Sequence, residues 1–204
     1  MNFLDWPALP IFQGCKARRR PSSTRAFIAR VPSPAGRILY VCASLFLAGC
    51  AVTSTPPRLV LSAETALNRD GSGASLSVVV RTYQLRDRRA FDRLGFDVFG
   101  GGRSDTEIFG AELLSSQEFV LTPGARLSDA LPLHAEASYV GIVGLFMQPD
   151  GELWRGLVDA QATRKLGLQV RLQECYLRIE SPAPLKIPGQ TEGRTPSCPA
   201  GRPS

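Results

Sequence analysis

The chain has 204 residues, 44% of them apolar and 21% charged, enough for one or two domains with a real hydrophobic core. Its 19 glycines and 16 prolines stay below the roughly 25–30% that marks low-complexity chains, and no apolar run reaches the ~18 residues of a membrane-spanning helix, which excludes a polytopic helical membrane protein. The net charge of +6 is confined to the start: residues 1–49 carry seven basic side chains against Asp5 alone, and residues 50–204 carry seventeen of each sign, so bulk charge points to no nucleic-acid partner.

In chain order, the first feature is the eleven-residue apolar segment Ile38–Ala48, preceded by Arg37 and ended by small residues, which is the order of a secretory signal. It closes on Leu47-Ala48-Gly49-Cys50, which looks like a bacterial lipobox. Signal peptidase would cut between Gly49 and Cys50, and the Cys50 thiolate would take diacylglycerol, its amine an N-acyl chain such as palmitate. The region ahead, with Pro21, Pro32, Pro34 and the tract Arg18–Arg20, is long for a signal n-region; Val31 as the first residue would leave a 19-residue signal to Gly49. Residues 1–49 are therefore expected to be a signal with an over-extended start, and 50–57 a lipidated cysteine and linker. Cys15 and Cys42 leave with the signal, so Cys175 and Cys198 remain in an oxidising compartment. One disulfide fits them, and so does a buried thiol beside a free thiol in the tail.

From Arg58 the texture changes. Leu59, Leu61, Ala63 and Leu67 recur at even spacing, as do Leu76, Val78 and Val80 before Tyr83 and Leu85, which predicts two strands. Between them Asn68, Arg69, Asp70, Gly71, Ser72, Gly73, Ala74 and Ser75 include residues that tolerate left-handed backbone, so a hairpin with a long exposed loop is expected. Asp87–Leu114 carries Phe91, Leu94 and Val98 at helical spacing, a Gly100–Gly102 break, and a capping box at Ser104 and Glu107. Further strands are expected at Glu118–Leu121, Arg126–Leu131, Ser138–Met147 and Lys165–Ile179. In the last, Leu166, Leu168, Val170 and Leu172 occupy one phase and Cys175, Leu177 and Ile179 the other, which reads as a bulge. Six prolines in Ser181–Ser204 read as a disordered tail after a domain spanning 58–180. The pattern predicts a mainly β fold, an antiparallel β-sandwich with a small helical insertion between strands two and three.

Catalytic chemistry finds little purchase. His134 is the only histidine, and no nucleophile motif stands beside it. There is no CxxC, HExxH, GxSxG or Walker loop, and acids such as Asp105 and Glu107 sit in cap contexts. No catalytic residue, metal site or cofactor is expected beyond the covalent lipid on Cys50. Trp154-Arg155 admits two readings, an interface anchor or, more in keeping with its context, a core tryptophan at a strand start beside a solvated arginine.

The ordered series Asn68-x-Asp70-Gly71, Val78–Leu85, Phe91, Leu113-Leu114, Pro123-Gly124, Tyr139–Val143 and Trp154-Arg155, together with the lipobox, resembles the TssJ (VasD/SciN-like) outer-membrane lipoproteins of the type VI secretion system. The resemblance implies a transthyretin-like sandwich with added helices, hung from the outer membrane and facing the periplasm. It also implies binding to the periplasmic domain of the inner-membrane protein TssM, in a complex with TssL, through the loop that corresponds to Asn68–Ser75. Where family members often have proline after the asparagine, this chain has Arg69. The competing reading is a lipid-anchored periplasmic ligand- or peptide-binding module, with an aromatic patch around Trp154 and Tyr139.

Overall fold

A computed structural model describes residues 55–198; the signal segment, Gly49, Cys50 and the first linker residues lie outside them. The alternating segments form eight strands: β1 (Arg58–Ala63), β2 (Val78–Leu85), β3 (Leu113–Leu121), β4 (Arg126–Ala130), β5 (Tyr139–Leu145), β6 (Arg155–Asp159), β7 (Leu168–Gln173) and β8 (Tyr176–Ser181). They make two four-stranded sheets, ordered β4-β1-β7-β8 and β3-β2-β5-β6. Every pairing is antiparallel except β1 with β7. The fold is thus mainly β, as its alternation predicts. Among the described residues no helix is long and apolar enough to cross a membrane.

The sheets face each other through Leu59, Leu61, Val170, Leu172 and Leu177 on one side and Val78, Val80, Val140 and Ile142 on the other, all buried. Each fully buried side chain of this size contributes roughly 1.5–3 kcal/mol. The apolar phase of β2 shifts at Tyr83 and Leu85, which turn to the outer face of the second sheet and need a cover of their own. That cover is the predicted insertion, built from α1 (Arg89–Asp92), a 3-10 turn (Phe96–Phe99), α2 (Asp105–Phe109) and a second 3-10 turn (Gly110–Glu112). The capping box starts α2: Glu107 N–H donates to Ser104 Oγ and Ser104 N–H to Glu107 Oε2. The Tyr83 ring packs tilted against Phe109, centroids 4.6 Å apart, and its hydroxyl donates to Asp105. Phe91 lies on Gly141, where a Cβ would come within 2.4 Å of the ring.

Three expectations need correction. β1 and β2 do not form a hairpin, because they belong to different sheets; β1 pairs with β4 and β7, and the 64–77 segment crosses between the layers. Lys165–Ile179 is not one bulged strand. Helix α3 (Ala160–Leu166), capped by Asp159, precedes β7, and the phase change falls on the tight Glu174-Cys175 turn between β7 and β8. Nor is 181–198 a disordered tail. After β8 the chain returns as an ordered strap: Ile187 is fully buried, Leu185 N–H donates to Leu157 C=O, and Cys198 is disulfide-bonded to Cys175. Proline content predicts disorder where nothing anchors the chain; here a disulfide and a buried apolar side chain do so.

The strand directions divide the sandwich into two poles. At one lie the start of β1, the end of β8 and the 131–138 loop, whose Leu131 N–H donates to Pro57 C=O. The other gathers the 64–77 crossover, the β3–β4 turn, the β5–β6 loop and the β7–β8 turn. The six residues of β1 separate the poles by roughly 20 Å.

Candidate docking site

Asn68 stands at the base of the crossover loop, buried and with a left-handed φ of 45°, a conformation that asparagine tolerates better than most residues. Three segments bond to it. Its N–H donates to Glu174 C=O at 2.7 Å, its Nδ2 donates to Ser77 C=O at 2.6 Å, and its Oδ1 accepts Met147 N–H at 2.6 Å. Thus the loop base is tied to its own return, to the β7–β8 turn and to the β5–β6 loop.

Beyond this hub the loop folds on Asp70. The Asp70 carboxylate accepts Ser72 Oγ at 2.6 Å, Ser72 N–H at 2.8 Å and Ala74 N–H at 3.0 Å, while Asp70 N–H donates to Ala74 C=O. These bonds, led by the Ser72 hydroxyl, hold its pKa below the usual carboxylate value. Gly73, at φ 85°, closes the turn. Gly71–Ser75 are all exposed, and Arg69 reaches out to Glu174 at 3.7 Å. The result is a preorganised, solvent-facing tip on a buried clamp, beside the exposed Met147.

Other sequence candidates resolve into packing. Trp154 is 4% exposed, with Phe96 edge-on at 5.2 Å. Arg155 is not a solvated arginine: its guanidinium donates to the carbonyls of Phe91 and Asp92 and stacks over Trp154, and burial lowers its pKa. It pins α1 to β6. Tyr139 begins β5 opposite Asp159, five residues along β6 from Trp154, so the two make no common aromatic patch. His134 is an exposed loop residue, its N–H bonded to Gln84 Oε1. No group of three metal-ligating side chains occurs among the described residues.

One polar centre escaped the sequence. Asp150, wholly buried, accepts Glu152 N–H, Leu153 N–H and Arg194 Nη1 on Oδ1 and Ser197 N–H on Oδ2, all within 2.9 Å. Burial raises its pKa, yet these bonds outweigh burial and hold it down to about 2. In Pro149-Asp150-Gly151 it reads as an ordinary turn aspartate; only the strap, 44 residues on, reveals its partner.

Residues 55–175 match the family described as type VI secretion lipoprotein, VasD, EvfM, TssJ. The chain belongs to that family. A type VI secretion lipoprotein of this kind has solved relatives. A chain of the structure described as "Type VI membrane complex" is 28% identical, with a TM-score of 0.55 over 61% of this chain and 97% of that one. A chain of the structure described as "T6SS protein TssM C-terminal domain (869-1107) from EAEC" is 26% identical, TM-score 0.53, over 60% of this chain and 98% of that one. The T6SS lipoprotein TssJ1 from Pseudomonas aeruginosa, at 23% identity and TM-score 0.52, covers 65% of this chain and 99% of its own, and shows the shared fold. A comparison with curated proteins gives no match.

Proposed function

We propose that this TssJ-family lipoprotein is the outer-membrane anchor of a type VI secretion membrane complex, and that its Asn68–Ser75 loop docks the periplasmic domain of TssM, linked in turn to TssL. The carrying observation is polar geometry: the clamped loop lies at the pole opposite the start of β1, to which the lipid tether leads. A loop already held by its own hydrogen bonds loses less conformational entropy on binding. The relative from the TssM structure supports the partner. The description of that structure names a TssM C-terminal domain, which agrees with a partner of this kind.

Cys50 would carry the diacylglycerol and N-acyl chains, each buried methylene contributing ~0.8 kcal/mol to anchoring. From Cys50 to Arg58 the linker reaches at most about 28 Å. Rigid docking on a lipid tether needs no catalysis and no cofactor beyond that lipid. Cys50→Ser is expected to leave the membrane fraction for the soluble periplasm, and unchanged outer-membrane fractionation would refute the anchor.

The docking test is a pull-down of soluble 51–204, strap included, against the periplasmic region of TssM from the same genome. A variant with 69–75 replaced by a Gly-Ser loop runs beside it. Wild type should bind and the loop variant should lose at least tenfold in affinity. Equal binding by both, with circular dichroism showing both folded, would remove the loop from the interface.

A further inference from the structure

The strap ends at the pole that holds the loop, and it bonds to two of the three segments that grip Asn68. Cys198 joins Cys175 in the β7–β8 turn, whose neighbouring Glu174 C=O accepts Asn68 N–H. Asp150 in the β5–β6 loop donates its N–H to Cys175 C=O and takes Arg194 and Ser197 of the strap, three residues beyond Met147, whose N–H binds Asn68 Oδ1. Two of the three supports of the loop base, the β7–β8 turn and the β5–β6 loop, are therefore themselves fixed by the strap; the third, Ser77, belongs to the loop's own return. On its way, the strap is held by Arg88, which donates to Lys186 C=O, and by Gln190, which donates to Glu152 and Arg155 C=O. The family match stops at 175, so the strap's side of each of these contacts lies beyond the matched segment.

We propose that the C-terminal strap is a positioning brace for docking: the Cys175–Cys198 disulfide and the Asp150–Arg194 pair hold the two loops that fix Asn68, and so set the conformation of the exposed tip. This rests on the docking reading above. Hydrogen exchange does not require docking, so the two can fail separately. The Arg69–Glu174 pair gives a second link from the braced turn to the tip, although at 47% and 42% exposure it is a weak one.

The test compares full-length mature protein, wild type, Cys198→Ser and Arg194→Gln, by amide hydrogen exchange and by binding to the periplasmic region of TssM. Cys198→Ser removes the bond from its strap side and leaves the buried Cys175 in place; Arg194→Gln leaves the disulfide intact and serves if the first variant folds poorly. Exchange in 67–77 and 146–153 should speed at least tenfold in both variants while β2 and β5 stay protected, and TssM affinity should fall at least fivefold. Unchanged exchange in 67–77 would overturn the brace whatever the binding result. Faster loop exchange with wild-type affinity would overturn its part in docking. A wild type that does not bind TssM refutes the docking reading, and the exchange comparison still decides whether the strap braces the loop.

Discussion

Asp150→Ala is expected to destabilise the domain by on the order of 3 kcal/mol, read as a shift of the urea midpoint at pH 7 with little change in slope. The variant strips four hydrogen bonds from one buried carboxylate, leaving the Glu152, Leu153 and Ser197 N–H groups and the Arg194 guanidinium to find water. Arg194 keeps only Glu152, at 3.8 Å. A pH series gives the effect its signature. The Asp150 pKa is about 2 in the folded protein against a reference value of 3.8. Its charge therefore contributes stability that is fully present above pH 3.8 and is lost as pH falls towards 2. By linkage this is about 2 kcal/mol. In Asp150→Asn that titration is gone, so the stability gap between wild type and variant should close between pH 4 and pH 2. A gap that stays constant over that range would show that the carboxylate's charge does not fasten the strap.

Sequence periodicity carried the layers of this fold better than its connections. Leu59, Leu61 and Ala63 mark β1, and Leu168, Val170 and Leu172 mark β7, because each strand buries one face. The shift from Val80 to Tyr83 and Leu85 marks the face that the helical insertion covers, although period-2 reasoning alone does not say which sheet it belongs to. A phase reversal looks the same whether a bulge or a two-residue turn causes it, so the β7–β8 turn was legible only as an irregularity. The 64–77 crossover carries the turn residues of a hairpin, and its destination depends on partners far along the chain.

The candidate site divides in the same way. Asp70, Gly71 and Gly73 announce a turn because their chemistry is local: an aspartate bonding forward to Ser72 and Ala74, and a glycine at positive φ. The clamp is non-local. Nothing near Asn68 in the sequence tells of Met147, 79 residues on, and nothing near Pro149-Asp150-Gly151 tells of Arg194. The strap shows the reverse error, since proline-rich composition describes what a segment cannot do by itself and omits what Cys175 and Asp150 do for it.

Asn68→Ala should therefore weaken docking more than any single change at the exposed tip. It removes the Nδ2–Ser77 and Met147–Oδ1 bonds at the buried base, for about 2 kcal/mol together, and a Cβ-bearing residue without a local polar group at φ 45° costs about 1 kcal/mol more. Asn68→Gly separates these contributions, for it loses both bonds and keeps the backbone conformation; it should be about 1 kcal/mol more stable than the alanine variant. If docking reads the preorganised tip, TssM affinity should follow the same order, wild type above Gly above Ala, with at least a tenfold loss for Ala. Tip substitutions such as Ser72→Ala touch only one link of the Asp70 turn and should change affinity less. Isothermal titration of the set against the periplasmic region of TssM checks the order. An alanine variant that binds as wild type while its melting temperature drops would separate loop clamping from recognition, and leave the tip's own side chains as the determinant of docking.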